Sequence, residues 1–362
     1  MRGSLRILHQ LASLKLALVI LLALGAGVLT AYLSEVRTTW ALVIPLALLA
    51  INLSAAIITN ASFHRQKGLL VFHIALVAIV LLIAIGRLTY LRGTLELTNG
   101  VLFDGSLTSV EAGPWHFGRL REVKFYQDGF EIDYLPGTPN QGFGTDKKQE
   151  TTAPVSPAAA SEPVVTDTIG ARRGATRNRV HSLDKKGEWQ STVVGDNEPL
   201  VIYGYNFFTT SNKGFSPLFV WTPNGGTPVT GAINLPAYPS NEFKQYLEWT
   251  PPGSTLKLWT QLQFDEVIIN PYKPSQFRLP DQHKIIIRQG KDRHELKVGD
   301  SIKFPEGTLT YQELTAWMGY NVDHDWTIGW LLAACVVAML SLTWHFWRKF
   351  AARPWQTDED NS

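Results

Sequence analysis

The chain has 362 residues, 45% hydrophobic and 18% charged, with a formal net charge of +2 and a single cysteine, Cys335. Near-neutral charge with no clustered basic face excludes nucleic acid as a partner, because neutralising phosphates needs such a face. One cysteine excludes an intrachain disulfide and a thiolate metal site, and no Cys-x-x-Cys-His is present to attach a c-type haem covalently.

The averages conceal a partition. Four apolar runs, residues 14–33, 40–59, 68–88 and 326–347, are each close to the ~20 residues that cross a ~30 Å hydrocarbon layer as a helix. The first, LKLALVILLALGAGVLTAYL, is too long for the apolar core of a cleaved signal peptide, and two more runs follow at once, so it is expected to stay as a span. Arg2, Arg6, Arg65, Lys67, Arg348, Lys349 and Arg353 flank the spans on one side. The positive-inside rule then places both termini in the cytoplasm, at the cytoplasmic membrane, with residues 90–325 extracytoplasmic. Arg87 and Arg92 run slightly against that rule but precede a large translocated domain.

The central region reads as β. Segments 93–100, 121–137, 198–210, 254–270 and 283–304 alternate apolar with polar residues and are separated by Gly, Asn, Asp and Pro turns. The expected fold is a membrane α-helical bundle of four transmembrane helices plus an extracytoplasmic all-β domain, a sandwich or open barrel. Residues 138–187, centred on TTAPVSPAAASEPVVTD, lack periodicity and read as a disordered insertion. The expected division is residues 1–89, 90–325, 326–347 and a tail, 348–362.

No nucleophile elbow, phosphate-binding loop, dinucleotide fingerprint or His-Glu-x-x-His zinc motif occurs. Polar chemistry stands out inside the membrane instead. His73 interrupts GLLVFHIALVAIVLLIAIG about five residues from the cytoplasmic end, roughly 7–8 Å deep. A ring held in hydrocarbon is expected to be neutral and to keep a nitrogen lone pair, which suits an axial ligand of haem iron. It equally suits a hydrogen bond to a neighbouring helix, and the residues alone leave both open. Asn52 and His345 fall in the same leaflet. An Asn52 amide bonded to His73 would fix the imidazole tautomer, and His345 with His73 could make a bis-histidine electron-transfer haem site. Asp325 reads as the cap of the last span. His64, His116, His181, His283, His294 and His324 show no metal-ligand spacing.

Three segments carry a resemblance: LASLKLALVILLALGAGVLTAYL; GLLVFHIALVAIVLLIAIGRLTYLRGTLELTNG, the most specific; and LTYQELTAWMGYNVDHDWTIGWLLAACVVAMLSLTWHFWRKF. Together they resemble the ResB (CcsB) family of system II cytochrome c biogenesis over nearly the whole chain outside 138–187. The resemblance implies a haem-delivery or haem-lyase subunit, with His73 as the membrane ligand of b-type haem in transit. It implies a multi-span CcsA (ResC) partner and an apocytochrome c client, since this chain lacks the partner's Trp-rich segment. Where the family often shows Asp-Pro-Gly, this chain has Asp323-His324-Asp325-Trp326. A haem-free β-domain scaffold or sensor is the remaining alternative.

Overall fold

The computed structural model describes residues 2–33, 38–136, 171–239 and 244–351. It divides into two compact units. The first holds residues 1–92, 111–118 and 323–362; the second holds 93–110 and 119–322. The segment 111–118, which the sequence reading assigned to the β domain, therefore belongs with the helices.

Among the described residues the first unit has six helices: α1 (Arg2–Leu11), α2 (Leu14–Leu33), α3 (Thr39–Thr59), α4 (Ala61–Arg65), α5 (Lys67–Thr89) and α6 (Thr327–Ala351). Four of them, α2, α3, α5 and α6, are long and apolar enough to cross a membrane, and the chain is a membrane protein. Their apolar side chains are largely exposed, Leu18, Leu22, Ile51 and Leu332 among them. That is the arrangement a helix wants when its solvent is lipid rather than water. Packing runs α2 on α3, α3 on α5 and α5 on α6, a row of spans with α1 folded against α3.

Without a hydrophobic drive between helices in lipid, small residues decide where backbones approach. A Cβ on Gly27 of α2 would overlap the carbonyl of Ala41 in α3, whereas one on Gly25 would meet nothing within 4 Å. Gly27→Val is therefore expected to destabilise the helical unit by about 2 kcal/mol through overpacking, and Gly25→Val to be nearly neutral. Thermal unfolding of the two variants in the same detergent checks the contrast.

Among the described residues the second unit is built from fifteen strands. One seven-stranded sheet runs β2 (Ser109–Ala112), β1 (Leu91–Thr98), β15 (Gly307–His324), β7 (Tyr205–Pro223), β6 (Leu200–Ile202), with β14 (Ser301–Phe304) on β15 and β8 (Val229–Ala232) on β7. A second sheet orders β13 (Asp292–Leu296), β12 (Lys284–Gln289), β10 (Leu258–Gln263), β9 (Tyr246–Trp249). The third orders β11 (Ser275–Gln276), β3 (Phe125–Leu135), β4 (Arg172–Leu183), β5 (Trp189–Val194). The β3–β4, β4–β5, β10–β12 and β12–β13 pairs are antiparallel, as a sheet joined by short turns requires. The β6–β7 hairpin closes on Tyr203 and Gly204, both at positive φ, the geometry of the tight two-residue turn.

Strands β7 and β15 are the spine. Each alternates at its ends and is continuously buried in its middle, at 213–217 and 316–320, the pattern of a strand covered on both faces. Phe207 of β7 and Tyr320 of β15 pack with Phe125 of β3, and Phe219 of β7 stacks on Trp249 of β9. Both smaller sheets thus bury their aromatics on the same pair of strands. One expectation needs correcting: the insertion does not run to residue 187, because Arg172–Leu183 is β4, an interior strand of its sheet. Residues 138–170 of that expected insertion lie outside the described residues.

Candidate functional site

Helix α5 places His73 six residues past its start, about 9 Å along the axis. The ring is half-buried. It lies 4.2 Å, centroid to centroid, from Phe63 of α4 and 5.3 Å from Phe72. Its Nδ1 is 2.7 Å from the carbonyl oxygen of Leu69, one helical turn back. A carbonyl only accepts, so in the neutral ring Nδ1 carries the proton and the Nε2 lone pair is left for another partner. The backbone of its own helix performs the second-shell task of fixing the tautomer.

Asn52 does not take that task. It is buried, and its Nδ2 donates to the carbonyls of Leu11 and, at 3.2 Å, Ser13. It thereby ties down the break between α1 and α2. The expected Asn52–His73 bond is replaced by a contact to the Leu11 carbonyl at the end of α1 and a second to the Ser13 carbonyl, which also accepts from Ala17 N.

His345 is brought to the start of α5, but not to His73. A Cβ on Gly68 would lie 3.1 Å from the His345 Cβ. Gly68 and His73 are five residues apart, so at ~100° per residue they point about 140° apart around α5. The two imidazoles occupy different flanks of one helix, and a single porphyrin shared between them draws no support from this packing. His345 instead lines a cleft of about 330 Å³ with Arg65, Lys67, Arg348 and Lys349.

At the other end of α5 the structure assembles a cluster the sequence did not announce. The loop 113–116 caps the helix: Gly113 N, Trp115 N and His116 Nδ1 donate to the carbonyls of Tyr90, Leu88 and Thr89 at 2.9, 2.8 and 2.8 Å. Three consecutive carbonyls at a helix end are thus satisfied by one turn of loop. Trp115 meets Trp40 edge-on, and Trp326 Nε1 donates to Thr89 Oγ1. Asp325 Oδ1 accepts from Thr327 N at 2.9 Å, capping α6 as expected. Tyr90 donates to Glu111, and burial together with that carboxylate pushes its hydroxyl pKa up to about 12. No spacing rule would have found His116, because its ring bonds a backbone carbonyl, that of Thr89, 27 residues away.

His116 also stands edge-on to His324, centroids 5.3 Å apart. Burial, with the neighbouring His116, lowers the His324 pKa below the ordinary histidine value. The folded state therefore favours neutral His324. That contribution is fully present above the unfolded histidine value of about 6.5 and is lost as pH falls below it toward the lower folded value. Thermal midpoints of the wild type are expected to drop across that window more steeply than those of His324→Gln, measured at matched ionic strength.

Among the described residues no group of three or more His, Cys, Asp or Glu could hold a bare metal ion. A porphyrin is a different demand, since it brings four nitrogen donors and asks the protein for one or two axial rings. His73, with its tautomer fixed and Nε2 open, meets that demand on one side.

The fold defines a membrane protein with four helices long and apolar enough to span and a β-rich unit. The ResB-like family model matches residues 54–248, more than half of the chain, and the protein belongs to the ResB-like family. Membership supports a role in cytochrome c biogenesis in general terms. No curated protein matches the chain.

Proposed function

We propose that this protein is a haem-handling subunit of a membrane cytochrome c biogenesis complex, working beside a multi-span CcsA/ResC-type partner. The observation that carries the proposal is His73: an imidazole in a membrane helix, its Nδ1 proton committed to Leu69 O and its Nε2 free for iron. The flanking charges favour an orientation with both termini cytoplasmic and the β domain outside, which sets His73 in the inner leaflet where haem from the cytoplasm would enter.

In this reading haem is cargo. It supplies the vinyl groups that react with client thiols, while this chain offers no thiol outside Cys335 in α6. His73 holds the iron on one face, Leu69 keeps the ring turned, and Phe63 and Phe72 give it apolar walls. The ring is only half-buried, so the rest of the porphyrin's enclosure must come from a second protein. The extracytoplasmic domain would then help form the chamber in which apocytochrome c meets haem.

Purification with and without the partner tests this. The pair is expected to carry a low-spin haem spectrum, and the chain alone to hold haem weakly. An equally stable bis-histidine spectrum from the chain alone would favour the electron-transfer alternative. Absence of a Soret band from both preparations, together with unimpaired cytochrome c maturation in cells lacking the chain, would favour the scaffold.

A further inference from the structure

We propose that the cleft between the start of α5 and the end of α6 is a binding site for the headgroup of an anionic phospholipid. It stands independently of the haem reading. Four cations line it, Arg65 and Lys67 from one side and Arg348 and Lys349 from the other. All four are exposed, and none has an ion-pair partner among the described residues. Among the described residues no carboxylate lines the cleft.

The positive-inside rule explains why such charges lie on one membrane face. It does not explain their convergence, from opposite ends of the sequence, on one cavity of about 330 Å³. Convergence is built by packing. Gly68 admits His345 to within van der Waals contact, so α6 approaches the first turn of α5 and carries its terminal cations alongside. Four like charges held together repel one another, and an anion relieves them.

The surroundings choose lipid over a soluble anion. Trp344, Trp347 and Phe350 of α6 stand 47%, 73% and 70% exposed beside or just past the cleft. A phosphate alone would satisfy the cations and make no contact with these rings. A phosphodiester headgroup satisfies the cations while its acyl chains run down the apolar flank of α6, continuous with the surface that already faces the bilayer.

The test uses the full chain, purified in detergent and examined by native mass spectrometry after titration with phosphatidylglycerol or phosphatidylcholine. Phosphatidylglycerol is expected to be retained about tenfold more strongly, and the preference to vanish in Arg65→Gln/Lys67→Gln/Arg348→Gln/Lys349→Gln. Single Arg348→Gln, less apt to disturb insertion, should lose part of the preference while helical circular dichroism is unchanged. A charge-matched Arg172→Gln/Arg179→Gln/Lys185→Gln/Lys186→Gln control, at exposed positions of the β domain, should keep it. Equal retention of both lipids, an unaltered preference in the quadruple variant, or the same loss in the control would overturn the proposal. Displacement of the lipid by excess inorganic phosphate would assign the cleft to a free anion and overturn it too.

Discussion

His73→Gly is expected to strip haem from the chain purified with its partner, reducing the Soret absorbance several-fold, and imidazole added to the buffer is expected to restore it. The substitution deletes the ligand but leaves the helix, so a free imidazole can occupy the vacated volume and offer iron the same lone pair. Two controls give the experiment its force. His345→Gly should leave the Soret band in place, because His345 sits on the flank of α5 that packs against α6, about 140° from His73. Asn52→Ala should also leave the spectrum unchanged. Its cost should appear as stability, about 1 kcal/mol, because the part-buried Leu11 carbonyl loses its side-chain donor while Ser13 O still accepts from Ala17 N. A His73→Gly preparation with an undiminished Soret band would remove the ligand assignment, and the proposed function with it.

The second large effect belongs to the β domain. Gln127, Asn178 and Tyr320 are fully or almost fully buried and form one closed network between β3, β4 and β15. Gln127 Nε2 donates to Leu97 O and Asn99 Oδ1, both at 2.8 Å, while Gln127 Oε1 accepts from Tyr320 and from Asn178. Burial raises the Tyr320 pKa, so its hydroxyl stays protonated and able to donate. Gln127→Ala would orphan donors and acceptors on every side and leave a cavity; an expected loss of about 3–5 kcal/mol follows from those two effects. Tyr320→Phe should cost only about 1 kcal/mol, because Asn178 still donates to Gln127. Chemical denaturation followed by near-ultraviolet circular dichroism measures both. Equal costs would show that the network is not closed in solution.

That network also explains a misread boundary. Strand β4, RRGATRNRVHSL, turns Arg177 and Arg179 outward and Thr176, Asn178 and Val180 inward. Two of its three inward positions are polar because they serve hydrogen bonds rather than apolar packing, so the strand shows no apolar alternation to find. The spans, in contrast, were legible because lipid imposes one requirement on every window of ~20 residues. Helix α1 is short and carries Arg2, Arg6 and His9, so no such window marks it.

The candidate site divides along the same line. His73 was legible because an ionisable ring in an apolar run is costly, and its bond to Leu69 is local, one turn away. The partners of Asn52 lie 39 and 41 residues distant. Nothing in the spacing distinguishes them from His73, which is also reachable by packing. His116 and its loop owe their place to three backbone carbonyls, bonded by Gly113 N, Trp115 N and the His116 ring, and carbonyls carry no letter in a sequence.

The cap on α5 has a practical meaning. Because Leu88, Thr89 and Tyr90 are each gripped by the 113–116 loop, the helix bearing His73 cannot rotate or slide at its far end without dragging the indole of Trp115. That indole is 60% exposed and touches Trp40. A shift of α5 would therefore be written into the emission of Trp115 and of Trp326, which bonds Thr89, at the opposite end of the same rod.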